Sequence, residues 1–149
     1  MQKIFLTKSK IIFKGHQMIN KAKSIVFDVD GTLCPIRRPD EDYANLEPYQ
    51  DMIKLLREYK EKGFYIILAT ARNMNTYQGN VGRIVAVTGK QLMQWLDRHE
   101  IPYDELHLGK PWPGRGGFYV DDKSIRPDEF LKLSYEEILA LIGDEPGGQ

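Results

Sequence analysis

The chain has 149 residues, 42% of them hydrophobic, with 21 basic and 21 acidic side chains and a formal net charge of zero. That length supports one ordinary domain with a core of its own, and the charge balance argues against a generally basic nucleic-acid binder. The single cysteine, Cys34, excludes an internal disulfide, and no apolar run approaches the roughly 18 residues of a membrane helix, so a reducing, cytoplasmic setting without a membrane partner fits best.

Charge is uneven along the chain. Lys3, Lys8, Lys10, Lys14, Lys21 and Lys23 precede the first acid, in a segment that lacks the continuous apolar core and small-residue cleavage site of a secretory signal. We expect a basic extension over residues 1–21, one domain over 22–143 and a flexible tail over 144–149, where "DEPGGQ" lacks apolar anchors.

The first predicted strand is "SIVFDVD" (24–30), apolar with little alternation, as in a strand buried on both faces. "LCPIRRPDEDYANL" (33–46) then has room for a small flap hairpin. "EPYQDMIKLLREYKEKG" (47–63) reads as a helix, with Pro48 near its first turn, apolar residues at helical spacing and a stop at Gly63. "FYIILAT" (64–70) is the second strand and leads into an Arg- and Asn-rich loop, "ARNMNTYQGNVGR" (71–83). The next helix, "TGKQLMQWLDRHEIP" (88–102), opens on a capping box of Thr88 with Gln91 and ends before Pro102. "DELHLG" (104–109) is a weaker third strand and "GFYVDD" (117–122) a fourth. "SYEEILALIG" (134–143) closes with a helix capped by Ser134 and Glu137. Strands alternating with helices imply an α/β fold: a Rossmann-like three-layer sandwich around a central parallel sheet.

In such sheets chemistry gathers at the carboxyl ends of the strands. Asp28 and Asp30 end the first run, Thr70 the second, and Asp121 and Asp122 the fourth, while Lys110 follows the third. If strands one, two and four are neighbours, these groups share one crevice. Three carboxylates brought together repel unless a cation sits between them, and a hard divalent ion such as Mg²⁺ suits oxygen ligands beside phosphate. Lys110 and the Thr70 hydroxyl then supply a charge and a donor for an anion, with Gly31 and the following amides open to it. One carboxylate can attack phosphorus to form an aspartyl-phosphate. The other, on the same side two residues away, can protonate the leaving oxygen.

"SIVFDVDGTL", "YIILAT", "GKP" and "FYVDD", in this order, resemble the four motifs of the haloacid dehalogenase superfamily. Within it the chain is similar to the small capless capsule-biosynthesis phosphatases through "ATARNMNTYQGNVGRI", "WLDRHEIPYDELHLGKPW" and "GFYVDDKSIRPDEF". The resemblance implies Asp28 as nucleophile and Asp30 as general acid/base. It implies Thr70 and Lys110 at the phosphate, and a Mg²⁺ held by Asp28, the Asp30 carbonyl and Asp121, with Asp122 as a further ligand. Members whose first motif carries this second Asp are mostly phosphohydrolases, whereas dehalogenases lack it, so the resemblance implies phosphate-ester hydrolysis.

The intervals from Asp28 to Thr70 and from Thr70 to Lys110 are filled by helix, strand and loop, which leaves no space for a cap domain. An open site either accepts a large substrate or is closed by a second subunit. We expect a homo-oligomer acting on a sugar phosphate or related small metabolite of surface-polysaccharide synthesis. Arg72 and Asn73, leaving the second strand, are the candidate substrate contacts. Trp112 reads equally as a sugar platform or as loop packing. His16, His99 and His107 have no metal-ligand spacing, and Cys34 lacks a His or CxxC partner and reads as packing. Two alternatives remain. One is a phosphatase of nucleic-acid ends or phosphoproteins. The other is a phospho-accepting receiver-type signalling module, although receivers place the accepting Asp on a later strand than their acidic pair.

Overall fold

The computed structural model describes residues 23–144. The basic extension expected over 1–21 and residues 145–149 of the expected tail lie outside the described residues. Strands β1 (Ser24–Phe27), β2 (Tyr65–Thr70) and β3 (Glu105–Leu108) form a parallel sheet in the order β1-β2-β3. Their register sets Ile25 beside Ile66, Phe27 beside Leu68, and Leu68 beside Leu106. Helices α1 (Gln50–Glu61), α2 (Val81–Ile84), α3 (Lys90–Arg98), α4 (Pro127–Lys132) and α5 (Tyr135–Leu141) complete an α/β fold.

Alternation puts Ile25, Phe27, Ile66, Leu68, Leu106 and Leu108 on one face of the sheet. The helical spacing of Met52, Ile53, Leu56 and Tyr59 turns one stripe of α1 onto this face, and Leu92, Trp95 and Leu96 do the same for α3. Each such side chain, fully buried, contributes about 1.5–3 kcal/mol relative to exposure. Phe130 of α4 meets the Phe27 ring edge-on at 5.2 Å and lies 5.1 Å from Tyr59, which joins the carboxyl-terminal helices to the same core. Trp95 also donates from Nε1 to the Leu46 carbonyl at 2.8 Å and so pins the start of the α1 approach to α3. The Ser134 and Glu137 capping box forms as expected, each side chain accepting from the other residue's amide.

Four expectations change. Residues 117–122 form no strand, so the arrangement with strands one, two and four as neighbours does not occur among the described residues. Left-handed Gly114 and Gly116 turn this segment back. The Tyr119 hydroxyl donates to the Pro111 carbonyl, and Phe118 and Val120 are 79% and 90% exposed. Val26, which alternation turns away from the core face of Ile25 and Phe27, is 62% exposed.

The expected flap hairpin after β1 is instead a loop with one 3₁₀ turn, Tyr43–Asn45. Arg37 Nη1 donates to the carbonyls of Arg38, Pro39 and Glu41, so one side chain satisfies groups that a hairpin ladder would have paired. The third change concerns Thr88, which caps no helix. The Asn80 side chain accepts from the Arg83 amide and starts α2 earlier, and Thr88 falls inside a π-helical turn, Val85–Gly89, that runs into α3. Gly89 allows close packing there, since a Cβ would lie 2.8 Å from Leu108 Cδ1. Finally, α4 was not foreseen; its signals are Pro127 in the first turn with Asp128 and Glu129 behind it.

Candidate active site

The carboxyl ends of β1 and β2 and the residue that follows β3 by one glycine bring Asp28, Thr70 and Lys110 together. Lys110 Nζ lies 3.3 Å from Asp28 Oδ1, and its amide donates to the Thr70 carbonyl at 3.1 Å, which fixes the lysine backbone to the end of β2. Thr70 is 1% exposed, and its Oγ1 accepts from the Arg72 amide at 3.1 Å. That bond takes one lone pair of the hydroxyl and leaves its own proton uncommitted. Lys110 Nζ also lies 4.9 Å from the centre of the Tyr119 ring, a cation–π contact on its exposed side.

Burial raises the Asp28 carboxyl above its ordinary value; the Lys110 charge and hydrogen bond, with the Val29 amide, oppose that rise, and Asp30 adds to it. Asp30 is gripped differently. Arg72 Nε donates to Oδ2 at 3.1 Å and Nη2 to Oδ1 at 2.8 Å, a two-pronged pair in which the Arg72 side chain is 2% exposed and that of Asp30 20%. Cys34 Sγ sits 3.7 Å from Asp30 Oδ1 and 3.8 Å from Arg72 Nη2. Burial first, then the Asp30 charge, pushes the Cys34 thiol up to about 12, so it is a neutral packing group.

Residues 25–84 match the family described as haloacid dehalogenase-like hydrolase. A crystal structure of a target protein from Vibrio cholerae is 48% identical to the chain, with 81% of this chain and 97% of that one covered at a TM-score of 0.77. The chain belongs to the haloacid dehalogenase-like hydrolases. No curated protein matches it.

In this haloacid dehalogenase-like hydrolase several expected site residues take other places. The Arg72 guanidinium, an expected substrate contact, is buried against Asp30. Asn73, in the left-handed region at φ 63°, donates to Thr88 Oγ1 at 2.7 Å rather than pointing at the crevice. Gly31 turns the chain at φ 85°, as only glycine does readily, but its amide donates to the Cys34 carbonyl. The amides of Thr32, Leu33 and Cys34 all point at the Val29 carbonyl. The expected cradle of free amides is thus closed by the turn's own hydrogen bonds. Asp121 is exposed and accepts from the Lys123 amide, a bond that holds its carboxyl below the ordinary value with further help from Asp122. Asp122 is exposed beside it. Among the described residues no group of three or more His, Cys, Asp or Glu side chains is placed to hold a metal ion.

A magnesium ion nevertheless fits the donors present at β1. Mg²⁺ keeps several waters and needs only one or two carboxylates besides a phosphate. Asp28, whose carboxylate is penalised by burial despite Lys110, is a place where added positive charge is stabilising. No helix among the described residues is long and apolar enough to cross a membrane.

Proposed function

We propose that the protein is a Mg²⁺-dependent phosphomonoester hydrolase acting through an aspartyl-phosphate. The observation that carries this reading is the 3.3 Å contact of Lys110 with Asp28, with Asp30 held two residues further along. An Asp28 oxygen attacks phosphorus as the ester P–O bond breaks, and Asp30 gives its proton to the departing oxygen. Asp30 then takes a proton from a water that attacks the phosphorus, releasing inorganic phosphate and restoring Asp28. Lys110 orients both the carboxylate and the phosphoryl oxygens, and the Thr70 hydroxyl donates to the latter. When bound by Asp28 and the Asp30 carbonyl, Mg²⁺ supplies charge neutralisation between carboxylate and phosphate.

The substrate we propose is a sugar phosphate or a similar small metabolite of surface-polysaccharide synthesis, turned over in the cytoplasm by a homo-oligomer. Exposed Val81, Val85 and Met93 support a subunit contact. A phosphate-release screen over phosphorylated metabolites, with Mg²⁺ or with a chelator, tests the reading, beside sizing of the native protein. Mg²⁺-dependent turnover that is abolished by Asp28→Asn is expected. A stable acyl phosphate without turnover would replace the reading by the receiver-type one, and release from oligonucleotide ends alone would replace the substrate class.

A further inference from the structure

Arg72 and Tyr43 have no part in the chemistry above, yet they surround its proton carrier. The Arg72 guanidinium stacks at 4.2 Å from the centre of the Tyr43 ring, which also packs against the Arg37 guanidinium at 4.8 Å. Arg37 Nε is buried and has no hydrogen-bond partner, so ring and loop carbonyls hold that guanidinium. A chain of contacts therefore runs from the loop after β1, through Tyr43, to Arg72 and then to both oxygens of Asp30.

We propose that Arg72 and Tyr43 are positioning residues that fix the plane of the Asp30 carboxylate for proton transfer, so that the loop between β1 and α1 governs how well poor leaving groups depart. The proposal rests on the phosphatase reading. A forked guanidinium takes one lone pair from each carboxylate oxygen and stops rotation about the last torsion. The Cys34 thiol lies on Oδ1 as well, which leaves the spare lone pair of Oδ2 as the place for the transferred proton. Tyr43 restrains the guanidinium in turn, and its ring is the part that matters, since no contact on Arg72 uses its hydroxyl. A substrate anion cannot reach Arg72 without breaking the Asp30 pair.

The test compares kcat/KM on glycerol phosphate, whose alkoxide needs a proton, and on p-nitrophenyl phosphate, whose phenolate leaves without one, in Mg²⁺ for the wild type, Arg72→Lys, Tyr43→Leu and Tyr43→Phe. This ratio reports the steps up to departure of the leaving group and leaves out hydrolysis of the acyl phosphate, in which Asp30 serves both esters as base. We expect kcat/KM on glycerol phosphate to fall by about 10²-fold in Arg72→Lys and Tyr43→Leu, the scale of general-acid catalysis. With p-nitrophenyl phosphate kcat/KM should stay within about twofold, and Tyr43→Phe should behave as wild type on both esters. Equal losses of kcat/KM on the two esters would overturn the proposal in favour of a structural or a substrate-binding role. If Arg72→Lys does not fold, the contrast between Tyr43→Leu and Tyr43→Phe decides alone. A wild type that releases phosphate from neither ester would overturn the phosphatase reading and the proposal with it, whereas wild-type turnover with an unaltered Tyr43→Leu overturns only the proposal.

Discussion

Removing Asp30 or Arg72 singly should cost more stability than removing both. The pair is two-pronged, at 3.1 and 2.8 Å, with Arg72 2% and Asp30 20% exposed at the side chain. Deleting one partner of a buried pair costs about 3–5 kcal/mol because the other stays charged and desolvated. The fifth of Asp30 that remains in water argues for the lower end, about 3 kcal/mol, in Arg72→Met. In Asp30→Asn the stranded group is a guanidinium that cannot lose its proton, so a cost of the same order is expected. Asp30→Asn with Arg72→Met removes both charges and keeps an unbranched chain against Tyr43, leaving mainly a packing cost of about 1–2 kcal/mol. For a domain of this size each kcal/mol moves Tm by about 3–6 °C. Thermal unfolding followed by circular dichroism in a chelating buffer should therefore place both singles about 10–15 °C below wild type, with the double variant above either. Additivity of the two single costs to within about 0.5 kcal/mol would refute the reasoning, since uncoupled side chains behave that way.

Asp28→Asn should abolish phosphate release yet raise Tm near neutral pH without metal. The folded Asp28 carboxyl titrates above its ordinary 3.8 because burial disfavours its charge, so the wild type loses stability as pH rises through that range. The variant's advantage should be full above the raised value and vanish below the ordinary one; a lower Tm for Asp28→Asn at neutral pH would count against the burial argument. Cys34, fully buried and with its thiol pushed up to about 12, should resist iodoacetamide in the native protein at about pH 8 and react in urea; native labelling at the rate of a free thiol would contradict this environment. Trp95→Phe deprives the Leu46 carbonyl of its donor and leaves a void, so it should lower stability by about 2–4 kcal/mol in denaturant unfolding. A loss under about 0.5 kcal/mol would mean that the bond is not made.

The strands that form the sheet were legible because "SIVF", "YIILAT" and "ELHL" carry enough apolar or β-favouring residues to declare themselves locally, and α1 and α5 because their spacing and ends agree. "GFYVDD" has the same local character but follows Gly114 and Gly116 and itself opens on Gly117, and the turn that the left-handed Gly114 and Gly116 make carries it away from β1. Local propensity cannot report that. Thr88 misled for a related reason. Ser, Thr, Asp and Asn all suit a helix start, and Asn80, eight residues earlier, takes the role while the π turn sends Thr88 inward to Asn73.

Of the site, the pairing of Asp28 with Lys110 follows from strand ends and a parallel sheet, so residue types and order suffice to anticipate it. The burial of Arg72 does not follow in that way. An arginine beside a strand end looks the same in sequence whether it faces a substrate or the core, and what decides is a partner 42 positions away at Asp30 together with an aromatic ring at Tyr43. Arg37 and Tyr43 lie in the stretch that sequence reasoning reads only as a flap. Their stacking turns that stretch into a support for the proton-carrying carboxylate. An active site open to solvent needs such support more than a closed one, because water can otherwise pull the Asp30 carboxylate out of line. On the proposed mechanism the buried guanidinium acts by holding Asp30 still, since it could touch a substrate only by giving up that two-pronged pair.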